Sequence, residues 1–146
     1  MDPNSISSED IVDWEAFSRT RTGLGAGFVR ILGYFREDGE KSVASIEEAM
    51  QHKDAAALVI PAHKLKSEAR QFGAEPLGEL AEDIEYAARR AVEMRIFPDD
   101  LLPAVARLRP LYAQTMELFE RETNPLVERR PGFGRSTAGN QDFGRI

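Results

Sequence analysis

Among the 146 residues there are two histidines and no cysteine. Disulfides and thiolate metal sites are therefore excluded, and any nucleophile or ligand set must be built around imidazole. His52 lies in the turn-like stretch "QHKD" with no ligand set around it, which reads as a solvated loop histidine. His63 stands in "IPAHKLKSEARQFGAEPL" and has different company. At helical spacing its row is Val59, His63, Lys66, Ser67 and Arg70, with Lys64 beside it. Positions 59, 60, 66 and 67 hold no carboxylate. Nearby positive charge favours the neutral ring, which is the nucleophilic form. A phosphoryl group carried on that ring is an anion, and Lys66 at i+3 supplies a counter-charge where one is wanted. The row suits a histidine that accepts a phosphoryl group and passes it on. Glu82, Asp83 and Glu85, with Arg89 four residues after the last of these, read as a solvated helix face.

The elements that must position this row are helices. Ala, Glu, Arg and Leu dominate, and period-2 alternation is scarce. "SSEDIVDWEAF" predicts a short first helix, capped by Ser7 or Ser8, with Ile11, Trp14 and Phe17 as its apolar face. "RTGLGAG" interrupts it. A second helix is expected over about 26–51, with Phe28, Ile31, Leu32, Phe35, Ser42, Ile46 and Ala49 on one stripe; Gly39 inside it costs about 1 kcal/mol relative to Ala. Asp54 caps a third helix running to Phe72, whose seam is Leu58, Ala62, Leu65, Ala69 and Phe72. His63 is one residue past Ala62, about 100° round the helix from that seam, and so lies on the flank. Pro61 should remove one helical hydrogen bond and bend the helix near His63. Gly73 suits a left-handed C-terminal stop and Pro76 the first turn of a fourth helix over about 76–94. A fifth helix over about 100–122 is capped by Asp99 and kinked by Pro110. The fold class is all-α: an antiparallel four-helix bundle with an additional short N-terminal helix. Residues 1–122 form this domain. Residues 123–146 form a Gly/Pro/Arg-rich tail, expected to be extended or disordered; in it Phe133 with Arg135, and Phe143 with Arg145, repeat in a pattern that suits a docking peptide.

The net charge is −6. From Arg121 onward it is +2, which leaves −8 for the body. That argues against a nucleic-acid partner. No apolar run approaches the length of a membrane span and no signal-peptide pattern opens the chain, so the expected location is cytoplasmic.

"AHKLKSEARQFGA", Leu77 and the following "AEDIEYAARRA" resemble the histidine-containing phosphotransfer (HPt) domain family, whose pattern is Ala-His-x-Leu-Lys-Gly, then Leu-Gly-Ala, a Leu and an acidic, Ala-rich helix. Ala62, His63, Leu65, Lys66, Gly73, Ala74 and Leu77 match it, and the resemblance spans about Val12 to Phe119. It implies a stand-alone phosphorelay carrier, acting as a monomer. His63 would be the phosphoacceptor and Lys66 its phosphoryl-stabilising neighbour. Response-regulator receiver domains or a hybrid histidine kinase would be the partners. They would dock on Val59, Lys64, Ser67, Arg70 and Gln71, bordered by apolar side chains of the first two helices. No ATP site or cofactor is implied, and Mg²⁺ would belong to the partner receiver. Three positions depart from the pattern: Pro61, Ser67 in place of Gly, and Glu68 in place of a small residue. Ser67 and Glu68 are the features that would fit an alternative, an HPt-like adaptor that binds a receiver or kinase without transfer. A fragment of a larger histidine kinase is a third reading, disfavoured by the absence of any kinase motif.

Overall fold

The structure is a computed structural model that describes residues 7–126. The expectations for Phe133, Arg135, Phe143 and Arg145 in the tail lie outside the described residues. Helices are α1 (Ser8–Ile11), α2 (Trp14–Leu24), α3 (Phe28–Gln51), α4 (Ala55–Gln71), α5 (Glu75–Met94) and α6 (Leu102–Thr123). There is no strand among the described residues. α3 packs on α4 and α6, and α5 packs on the same two, which closes a four-membered ring. This is the expected four-helix bundle, with α1 and α2 laid against one end.

The N-terminal segment differs from its expectation. It forms two helices, not one, because Val12 is extended and Asp13 restarts the helix by accepting from the Ala16 N–H. Ser7 is the first cap, in a reciprocal capping box with Asp10. α2 then runs on through "RTGL" to Leu24, and only Gly25–Gly27 form the break, as a single 3₁₀ turn. Asp99 is not a side-chain cap: it opens a 3₁₀ turn, and its carboxylate pairs with Lys53 instead.

The core follows the predicted seams. Leu58, Ala62, Leu65 and Ala69 of α4 are buried, as are Leu77, Ala81, Ile84 and Ala88 of α5. At the α4–α5 turn, Trp14, Phe17, Phe28, Phe35, Phe72 and Phe119 stack into one aromatic cluster, with Phe35 and Phe72 parallel at 5.5 Å. Such pairs contribute about 0.5–1.5 kcal/mol each beyond their buried area. Gly73 makes the turn possible: φ is +80°, and a Cβ there would meet the Asp13 carbonyl oxygen at 2.6 Å. The Gly73 carbonyl accepts from Asp13 N–H, pinning the N-terminal helices to the α4–α5 turn. Gly39 has a local reason too. The Tyr112 ring lies over it, and the phenol donates to the Arg36 carbonyl at 2.6 Å. Arg109 reaches from α6 to Glu40 and Glu47 of α3, tying those two helices together.

Candidate functional site

α4 presents the predicted row. Asp54 caps its start, accepting from Ala57 N–H, and the helix continues through Pro61 to Gln71. Proline has no N–H, so the Ala57 carbonyl loses its intrahelical donor, but the helix does not end there. Ala62 and Leu65 anchor the buried side. The His63 side chain stands half out of the bundle, 51% exposed.

The structure corrects two expectations about charge here. Glu85 does not belong to a solvated face: it is 5% exposed, whereas Glu82 and Asp83 are open to solvent. Nor does the imidazole lack a carboxylate, because α5 delivers one across the helix pair. Glu85 Oε2 lies 3.0 Å from His63 Nδ1. A carboxylate only accepts, so Nδ1 carries the proton and donates it to Oε2. In the neutral ring this leaves the lone pair on Nε2, on the exposed side of the half-exposed side chain and with no hydrogen-bond partner among the described residues. Lys66 Nζ sits 2.8 Å from the other oxygen, Oε1, as an ion pair outside hydrogen-bond alignment. Arg89, one turn further along α5, donates from Nε and Nη2 to Oε2 at 3.0 and 2.9 Å. Burial pushes the Glu85 carboxyl up, but Lys66, Arg89 and His63 outweigh it and hold its pKa down at about 2. The carboxylate therefore stays ionised across the physiological range.

Glu85 and Arg89 are what reading α4 alone misses. A signal was available: Gly78, Ala81, Glu85 and Ala88 are spaced 3, 4 and 3 apart, so Glu85 falls in a seam row whose other members are small and buried. An acid in such a row needs a partner on the facing helix.

The other predicted residues divide. Lys64 and Ser67 are exposed and flank His63, Val59 is half-buried one turn before it, and Gln71 is exposed at the far end of α4. The Gln71 carbonyl accepts from Thr20 of α2. Arg70 does not extend a free positive strip. It is held by Glu75 at 3.1 Å and Glu82 at 3.0 Å, lying across Gly78, where a Cβ would strike its Cγ at 2.8 Å. Glu68 turns away from the reactive row towards α3. Burial, together with a hydrogen bond and charge from Asp38, pushes its carboxyl up. Ala56 and Val59 of α4, with Tyr86, Arg89 and Val92 of α5, line a groove of about 590 Å³ beside the row.

The model of the Hpt domain family matches residues 30–121. Among solved structures, the crystal structure of histidine-containing phosphotransfer protein B (HptB) from Pseudomonas aeruginosa PAO1 is similar, with 24% sequence identity and a TM-score of 0.66 over 77% of this chain and 93% of that one. That likeness shows the fold. No curated protein matches the sequence. No helix of the described residues is long and apolar enough to cross a membrane.

Proposed function

Since this chain belongs to the Hpt domain family, a family of phosphoryl carriers in phosphorelays without an ATP site of their own, we propose that His63 is the residue that carries the phosphoryl group. The observation that supports this most directly is the division of the ring: Nδ1–H is bound to buried Glu85, and Nε2 faces outward. In the forward step the Nε2 lone pair attacks phosphorus, the bond from phosphorus to an acyl-phosphate oxygen of a receiver aspartate breaks, and that carboxylate leaves with the electron pair. No proton has to move. The ring keeps Nδ1–H and becomes cationic, and Glu85 faces the new positive charge. Lys66, anchored beside the ring, faces the phosphoryl oxygens. Mg²⁺ for the reaction belongs to the receiver. The reverse step uses the same atoms, so His63 serves as acceptor and donor, taking the group from a receiver or hybrid kinase and giving it to a second receiver. The docking surface is the row of half-buried Val59 and exposed Lys64 and Ser67, extended by Gln71, together with the Tyr86–Val92 groove; Arg70 contributes its aliphatic stem, its charge being spent on Glu75 and Glu82.

Incubation with ³²P-labelled receiver domains tests this. Base-stable, acid-labile label on the protein, absent from His63→Gln, is the expected result. Label that persists in His63→Gln overturns the assignment of the carrier residue. A receiver that binds tightly but never transfers label would make the protein an adaptor.

A further inference from the structure

On the side of α4 away from Glu85, a cleft of about 490 Å³ runs between α3 and α4. That volume is in the range of small-molecule sites. The helix pair fixes the order of its lining. Asp38 of α3 meets Glu68 of α4, and the two helices run antiparallel, so one turn on, Ser42 stands level with Lys64. One end of the cleft is thus made of Lys41, Ser42 and Lys64. Its middle wall is apolar, from Ala49, Ala57, Ile60 and Pro61, and its other end is the α3–α4 turn with Glu48, His52 and Asp54.

Two features of this cleft have no partner within the fold. Lys41 and Lys64 form no salt bridge among the described residues, although the field of Lys64 reaches Glu68. Two ammonium groups without a salt bridge at one cleft end stand out on a body of net charge −8. Ser42 is only 4% exposed, lines the cleft, and makes no hydrogen bond among the described residues. That hydroxyl is not among the enclosed side-chain atoms left without a partner, so its open side faces the cleft and is free to pair with water or a ligand there. The acids at the far end are set apart from the lysines: Asp54 caps the start of α4, more than two helical turns before Lys64, and Glu48 lies at the turn, more than a helical turn from Ser42 along α3.

We propose that this cleft binds a small organic oxyanion, a carboxylate or phosphate monoester on a compact apolar body. The anionic head lies between Lys41, Lys64 and the Ser42 hydroxyl, and the body lies along Ile60 and Pro61. The site is distinct from the Nε2 face of His63 and does not depend on phosphoryl transfer.

The test is a titration of the ¹⁵N-labelled full chain, followed by amide chemical shifts, with phenyl phosphate, benzoate, inorganic phosphate and benzyl alcohol at constant ionic strength. Saturable shifts confined to Lys41–Ser45 and Ile60–Lys64 are expected with an aromatic oxyanion, and the tighter of phenyl phosphate and benzoate assigns the head group. Lys41→Gln and Lys64→Gln should each weaken binding roughly tenfold, the loss of one charge-assisted hydrogen bond. Ser42→Ala should weaken it as well. Circular dichroism confirms that each variant keeps its helices. The proposal is overturned by benzyl alcohol binding as tightly as the anions, by shifts that fail to saturate in the low-millimolar range, or by lysine variants that bind unchanged.

Discussion

Glu85→Gln separates what this carboxylate contributes as a charge from what it contributes as a hydrogen-bond acceptor. The amide has the same shape, and its oxygen can still accept from His63 Nδ1–H, so the outward Nε2 is preserved and only the charge is lost. Its stability effect follows from the pKa. Glu85 falls from 4.5 to about 2 on folding; at 1.36 kcal/mol per pH unit the ceiling is roughly 3 kcal/mol. Two of its partners are open to solvent, His63 at 51% and Arg89 at 57%, which screens the pair and lowers the expected loss to about 1–2 kcal/mol. The folded pKa is depressed, so this stabilisation is complete above the unfolded value near 4.5 and is lost as pH falls towards 2. Urea melts of wild type and variant should therefore differ by a constant amount at neutral pH and converge below pH 4.5. Transfer from a phosphorylated receiver should slow roughly tenfold, equivalent to about 1.4 kcal/mol of lost support for the cationic ring. Glu85→Leu, which removes the acceptor as well, should be slower again. An unchanged transfer rate in Glu85→Gln, or a stability difference that does not shrink in acid, refutes the role given to the carboxylate.

Lys66→Ala should slow transfer with helical content unchanged, because Arg89 still balances Glu85; an unaltered rate would remove Lys66 from the phosphoryl site. Ser67→Gly should transfer as fast as wild type or faster, at a cost of about 0.5 kcal/mol in helix stability, read from single-turnover rates and urea melts; a large loss of rate would show that the hydroxyl takes part. Gly39→Ala should destabilise by about 1–3 kcal/mol, the opposite of what helix propensity predicts, because the new Cβ would stand 2.6 Å from Tyr112 Cε1; a thermal melt at or above wild type would contradict that packing.

The parts of the fold that were legible in the sequence are those governed by local rules. Asp54 as a cap, Gly73 as a left-handed stop and the Leu58–Ala62–Leu65–Ala69 seam each follow from a few adjacent positions, and each is observed. Four of the departures share one cause. Gly39 is costly in an isolated helix, but α6 places a tyrosine over it. Asp99 has the composition of a cap, but Lys53 from the α3–α4 turn takes its carboxylate. Arg70 reads as a free cation until α5 brings Glu82 against it. Glu85 reads as solvated until α4 closes over it. In each case the deciding partner is remote in sequence, and no window along a single helix contains it.

That same remoteness bears on the carrier role proposed for His63. A ring on a lone helix could turn either nitrogen outward and exchange its proton freely. Here one nitrogen belongs to the bundle and the other to whatever docks. Glu85 comes from α5, so the orientation of the ring depends on the whole α4–α5 pair being packed, not on the helix that carries it. The charge around it is also poised. Before transfer, the one carboxylate faces two fixed cations, Lys66 and Arg89, a surplus of one positive charge beside the ring. Arrival of a phosphoryl group adds negative charge outside and positive charge on the ring, each facing a group of opposite sign already in place. A site in which both the empty and the loaded ring find counter-charges without rearrangement favours neither state strongly, as a carrier requires if it is to release what it accepts.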